Sequence, residues 1–208
     1  MNRFQSSGLA GAAFSLFALI GSTAWAQAET PLAVRLALCG GCHNQDGNSI
    51  IPENPNLAAL DTVYLVRQMT DLKSGKRKSA IMNGIMGMVD AKEFDQLAKH
   101  FSEQKPKQAI KVAAKTVEAG KEIYEDGISS VAVPACSGCH NEDGSGTDKY
   151  PRLTGQQSVY VTQQLLKFKS GERDNDDRGV MRAVAKRMSE AQMQSVAQYI
   201  ATLQEGEK

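Results

Sequence analysis

Apolar residues recur along the chain with a helical period. Leu65, Met69 and Leu72 stand at i, i+4 and i+7, and Val161, Leu165 and Phe168 repeat that stripe further on. Phe94, Leu97, Ala98 and Phe101 form an i, i+3, i+4, i+7 set, which Met193, Val196, Ala197 and Ile200 reproduce. A capping-box pattern precedes each of these last two helices, Asp90-x-x-Glu93 and Ser189-x-x-Gln192. No apolar–polar alternation of useful strand length occurs, so the pattern predicts an all-α fold.

The apolar run Leu9 to Ile20 is of another kind. It follows the basic start Met1-Asn2-Arg3 and leads to Ala24-Trp25-Ala26, a small-x-small peptidase pattern. A membrane anchor is the competing reading, but the run falls short of the roughly 20 residues needed to span a bilayer. Residues 1–26 are therefore expected to be a cleaved signal peptide directing a bacterial protein to the periplasm. No second long apolar run follows, so no transmembrane segment is expected in the mature chain.

The helical stripes belong to a longer internal repeat. Cys39-Gly-Gly-Cys42-His43 returns as Cys136-Ser-Gly-Cys139-His140 at an offset of 97. Pro55-Asn-Leu57 falls on Pro151-Arg-Leu153, Tyr64 on Tyr160, Gln68 on Gln164, and Ser74-Gly75 on Ser170-Gly171 at an offset of 96. The last helices match at an offset of 99. So small a drift means a duplicated domain, and two copies are too few for a solenoid. The expected division is residues 27–104 and 116–208, joined by a linker at 105–115 that carries Pro106 and four lysines.

Charge adds an exclusion. The 208 residues hold 24 Lys+Arg against 23 Asp+Glu, which leaves no basic excess for nucleic acid. Removal of the signal would leave an even balance, divided into two slightly acidic domains and a basic connection.

All four cysteines lie in Cys-x-x-Cys-His, the attachment pattern of c-type haem: two thiols add to the vinyl groups and the adjacent histidine ligates iron. A redox dithiol would suit a strand-then-helix context, which is missing, and would leave the histidines unexplained. Zinc needs four converging ligands, whereas each copy repeats a three-ligand set. Disulfides between the copies would again leave both histidines without a role. Two covalent haem c groups are the expected cofactors, on Cys39, Cys42, Cys136 and Cys139, with His43 and His140 as proximal ligands. Each copy is short and poor in aromatics, so the haem supplies core that the chain lacks, and the apoprotein is expected to be largely unfolded.

Only three histidines exist, and the third, His100, lies where the second copy has Tyr199. Bis-histidine coordination at both irons is thereby excluded, which leaves methionine. Met82 and Met181 each precede the cap of the last helix by eight residues, and they are assigned as the sixth ligands. Met69, Met188 and Met193 align with core-like positions. Met86 and Met88 stay open as alternatives to Met82.

With these features the chain resembles the class I c-type cytochromes, and it is most similar to the di-haem cytochrome c4 family. The haem motifs, the Pro-x-Leu segments, the Tyr-x-x-x-Gln pairs, the Gly-x-Arg turns at Gly75 and Gly171 and the two methionines carry the resemblance. It implies two tandem class I domains related by a pseudo-twofold axis, with haem propionates facing the domain interface. It also implies that the carbonyls of Pro55 and Pro151 accept the Nδ1–H of His43 and His140, although each proline could simply break a loop. Gly120 and Tyr124 resemble the small/aromatic pair that lets first and last helices cross closely. The first domain departs there, with Leu32, and again with Ala59-Leu60 in place of Gly155-Gln156.

The function expected is electron transfer, without an open catalytic site. By the resemblance, electrons pass from a quinol-oxidising complex to a terminal oxidase, with peripheral membrane association through a partner left open. One alternative is the cytochrome subunit of a periplasmic dehydrogenase that oxidises sulfide or thiosulfate. A less favoured one is a di-haem peroxidase, which needs a displaceable ligand.

Overall fold

The computed structural model describes Met1 and residues 31–107 and 114–204. The remainder of the expected signal segment and residues 108–113 of the expected linker lie outside the described residues. Among the described residues, nine α-helices run in the order α1 (Pro31–His43), α2 (Thr62–Lys73), α3 (Ala80–Gly87), α4 (Phe94–Ser102), α5 (Ala114–Asp126), α6 (Ser137–His140), α7 (Ser158–Ser170), α8 (Val180–Arg187) and α9 (Glu190–Ile200). One isolated bridge, Ile128 to Val133, is the only β pairing among the described residues. None of their helices is long and apolar enough to cross a membrane.

The helix starts follow their sequence signals. Asp61 caps α2 by accepting from the Tyr64 N–H, and Ser79 caps α3 by accepting from the Met82 N–H. Both capping boxes form, Asp90 with Glu93 and Ser189 with Gln192, which satisfies N–H groups that a helix start leaves unpaired.

Two sets of core residues follow the repeat. Tyr64, Leu65, Ala98 and Phe101 pack together in the first copy, beside a second cluster of Leu72, Met86, Val89, Phe94 and Leu97. In the second copy Val161, Leu165, Phe168, Met193, Val196 and Ile200 join one continuous core. α5 crosses α9 closely because Gly120 has no side chain: a Cβ there would lie 2.1 Å from the Ser195 carbonyl oxygen. Tyr124, fully buried beside it, donates to the Asn141 carbonyl and ties the crossing to the second haem motif.

The copies differ ahead of the cysteine motif. In the first, the cysteine motif is the last turn of α1. In the second, α5 stops at Asp126, a loop held by the Ile128–Val133 bridge intervenes, and the motif forms the separate short helix α6. The start of the expected linker is also anchored. Asn48, buried in the first copy, donates to the Lys105 carbonyl and accepts from the Lys107 N–H, while the Lys107 ammonium pairs with Asp46.

Candidate functional site

Each cysteine motif ends its helix at a histidine, and the next residue, Asn44 or Asn141, turns the chain through a left-handed conformation. The loop then doubles back. The Gly47 carbonyl accepts from the Leu57 and Ala58 N–H groups, and the Gly144 carbonyl accepts from those of Leu153 and Thr154. This fold-back sets the Pro-x-Leu segment against the histidine. His43 donates from Nδ1 to the Pro55 carbonyl at 2.9 Å, and His140 to the Pro151 carbonyl at 2.8 Å.

Both imidazoles are only 6% exposed. Burial lowers their pKa, partly offset by the proline carbonyls, so both rings are held neutral. With the proton fixed on Nδ1, Nε2 presents its lone pair, the form in which imidazole binds a metal. None of the four cysteines is joined in a disulfide. Burial pushes the Cys39 thiol up, and it pushes that of Cys136 to about 11. These are not the depressed thiols of a redox pair. Among the described residues, no cluster of His, Cys, Asp or Glu could hold a metal ion by itself. A buried neutral imidazole beside two cysteines, in both copies, fits covalent haem.

The methionines separate by environment. Met82 and Met181 are half-buried and pack at the margins of their cores. Met86 is 2% exposed inside the first core, and Met88 points outward at 56% exposure. Met188 and Met193 are core residues, and Met69 packs beside both first-copy clusters. His100 donates from Nε2 to the Gln45 carbonyl and stacks edge-on against Phe101, which gives it a local structural role.

The residues between the two copies had no role assigned from sequence. Arg77 donates to Gln68 in its own copy and to Tyr160 and Gln164 in the other. Arg173 mirrors it, donating to Gln164 in its own copy and to Tyr64 and Gln68 across the boundary. That exchange makes the pseudo-twofold relation visible in side chains. Asn56 and Gln156 bond reciprocally, and Gln157 reaches the Ser49 carbonyl. Gln156 stands at one of the positions where the copies differ in sequence, so that departure builds the interface. Burial opposes the Tyr160 phenolate, but the two facing guanidiniums outweigh it and hold the hydroxyl below its ordinary range. Apart from Asp71, which bonds Asn175 across the boundary and pairs with Lys76, this junction is neutral or cationic.

Comparison with known proteins decides the family. The Cytochrome c family description matches residues 117–204. Cytochrome c4 of Azotobacter vinelandii is 36% identical over 201 residues, covering 89% of this chain and 95% of that protein. The chain belongs to the cytochrome c4 family. The crystal structure of reduced recombinant cytochrome c4 from Pseudomonas stutzeri superimposes with a TM-score of 0.78 at 33% identity, covering 82% of this chain and 96% of that one. A thiosulfate dehydrogenase electron acceptor from Thiomonas intermedia is 32% identical over 190 residues, covering 88% of each chain. As a cytochrome c4, the protein is a di-haem electron-transfer cytochrome of two class I domains that carries two covalent haem c groups.

Proposed function

We propose that the protein is an exported periplasmic electron carrier, with haem domains at residues 27–104 and 116–208 joined through 105–115. The observation that carries this reading is the pair of buried imidazoles, each locked by a proline carbonyl with Nε2 left for iron. His43 with Met82, and His140 with Met181, would ligate the two irons. Cys39 and Cys42, and Cys136 and Cys139, are the thioether anchors. When bound, each haem supplies a one-electron ferric/ferrous couple.

The polypeptide's contribution is to fix, shield and tune. The proline carbonyls orient the histidines and raise their donor strength. With methionine beside histidine as ligands, neither iron would have an open site for substrate. Arg77 and Arg173 put two guanidinium charges at the junction of the copies. A respiratory quinol-oxidising complex as donor and a terminal oxidase as acceptor suit such a carrier. The likeness to a thiosulfate dehydrogenase electron acceptor supports a second reading, in which the donor is a periplasmic dehydrogenase.

A spectroelectrochemical titration with haem quantitation tests the proposal. Two haems per chain, methionine ligation at both and no peroxide turnover are expected. Rapid cyanide or carbon monoxide binding to the resting protein would overturn six-coordination.

A further inference from the structure

Helices α3 and α8 are counterparts, each carrying the methionine proposed as sixth ligand, yet their outer faces differ in chemistry. On α3 and its cap the exposed positions are Ala80, Ile81, Gly84, Gly87 and Met88, a stripe at i, i+1, i+4, i+7 and i+8. An exposed stripe at this period is ordinarily polar. Here it has no polar side chain, and Ile81 is 74% exposed. Met82 lies about 160° around the helix from the centre of this stripe, taking 3.6 residues per turn, so haem bound on the Met82 side leaves the stripe in solvent.

The two glycines are not required by the fold. A Cβ at Gly84 or Gly87 would meet nothing within 4 Å, and neither has a positive φ. Glycine is a poor helix former, so its effect here is to leave the outer surface low and free of side chains. The N-terminal flank is basic, although Lys76 pairs with Asp71, and exposed Asp90 follows the helix. From Leu72 to Val89 the chain has four basic residues and no acidic one, with Lys76 and Lys78 exposed just ahead of the helix.

The second copy lacks this combination. At the counterparts of Gly87 and Met88 stand the exposed Lys186 and Arg187, and the turn before α8 carries Glu172, Asp174, Asp176 and Asp177. The outer faces of α3 and α8 thus differ in surface chemistry.

We infer that the outer face of α3 is the docking surface for a redox protein whose own contact face is apolar at its centre and acidic at its rim, so that exchange with this partner runs through the first haem. This rests on the electron-carrier reading above. A flat apolar centre permits close approach, and a cationic rim steers an acidic partner and sets its orientation. Complementary charge selects this occupant.

The test uses the purified di-haem protein, reduced and mixed in a stopped-flow instrument with an oxidised acidic blue-copper protein. Ferricyanide serves as a small oxidant that needs no docking face. Ile81→Glu and Gly84→Glu are each expected to lower the rate constant with the copper protein about tenfold at low ionic strength. Lys78→Glu should lower it about threefold and flatten its salt dependence. Val180→Glu and Ala183→Glu on α8 should stay within about twofold of the parent, and ferricyanide rates should be unchanged throughout.

Equal losses from the α8 variants, or none from the α3 variants, would overturn the assignment. So would a loss shared with ferricyanide, which would place the defect at the haem. Binding to phosphatidylglycerol vesicles that Ile81→Glu abolishes, with copper-protein rates intact, would give the face to a membrane surface instead. A dimer dispersed by the same substitution would give it to a second copy. Failure of the parent protein to reduce ferricyanide at all would remove the carrier reading itself.

Discussion

Met82 and Met86 lie one turn apart on α3, and their surroundings ask different things of them. Met86 is enclosed by Leu72, Val89, Phe94 and Leu97, where shape and volume matter and the sulfur has no special duty. Met86→Leu should therefore cost less than about 1.5 kcal/mol in denaturant unfolding and leave the haem spectra unchanged. Met82→Ala should remove about half of the long-wavelength methionine-to-ferric-haem band and lower the potential of one haem. A full-strength band in Met82→Ala would return the ligand role to Met86 or Met88. The histidines were legible in the sequence because their motif is chemically specific. The environments of the methionines were not, because the helical period alone leaves Met82, Met86 and Met88 equally free to face inward or outward.

Two glycines at helix positions show opposite physics at the scale of elements. Gly120 is needed, since a Cβ would press into the Ser195 carbonyl and the Tyr199 side chain. Gly120→Ala should destabilise the protein by about 1–3 kcal/mol, or more where α5 and α9 must separate. Gly84→Ala should instead stabilise it by about 1 kcal/mol, since the site is open and alanine favours helix. Thermal unfolding of the two variants in parallel checks both signs. The helices themselves, with the caps at Asp90 and Ser189, were readable because periodicity and capping are local properties. The loop between α5 and α6 was not, because the repeat is recognised from the cysteines onward and an insertion ahead of them leaves no mark on the register. Nor did composition show that residues 105–107 are pinned, since that depends on a single asparagine, Asn48, far away in sequence.

For the whole molecule, the junction between the copies is polar and built by exchange. Tyr64, Gln68, Tyr160 and Gln164 look in sequence like parts of a solvated helix face, and only the folded arrangement turns them toward one another. Arg173→Met would leave the hydroxyl of Tyr64 and the amides of Gln68, Gln164 and Asn175 short of partners. The expected loss is about 2–4 kcal/mol, with unfolding that separates into two transitions. A single transition at the parent midpoint would show that the junction contributes nothing to cohesion. The copies carry unequal charge at matching positions, with Asp71 buried in the first and Lys167 at its counterpart in the second. A redox titration should accordingly resolve two potentials, and a fit to one common value would refute that inequality.

The traded arginines also carry a consequence for descent. Because Arg77 is satisfied by the other copy's tyrosine and glutamine, and Arg173 by the first copy's, neither half retains a finished surface of its own. A gene cut back to one copy would expose a guanidinium and two amides shaped for a lost sibling. The duplication is thus hard to reverse. Its two halves are free to diverge on their outer helices, as α3 and α8 have done, but must change in step along the seam where they meet.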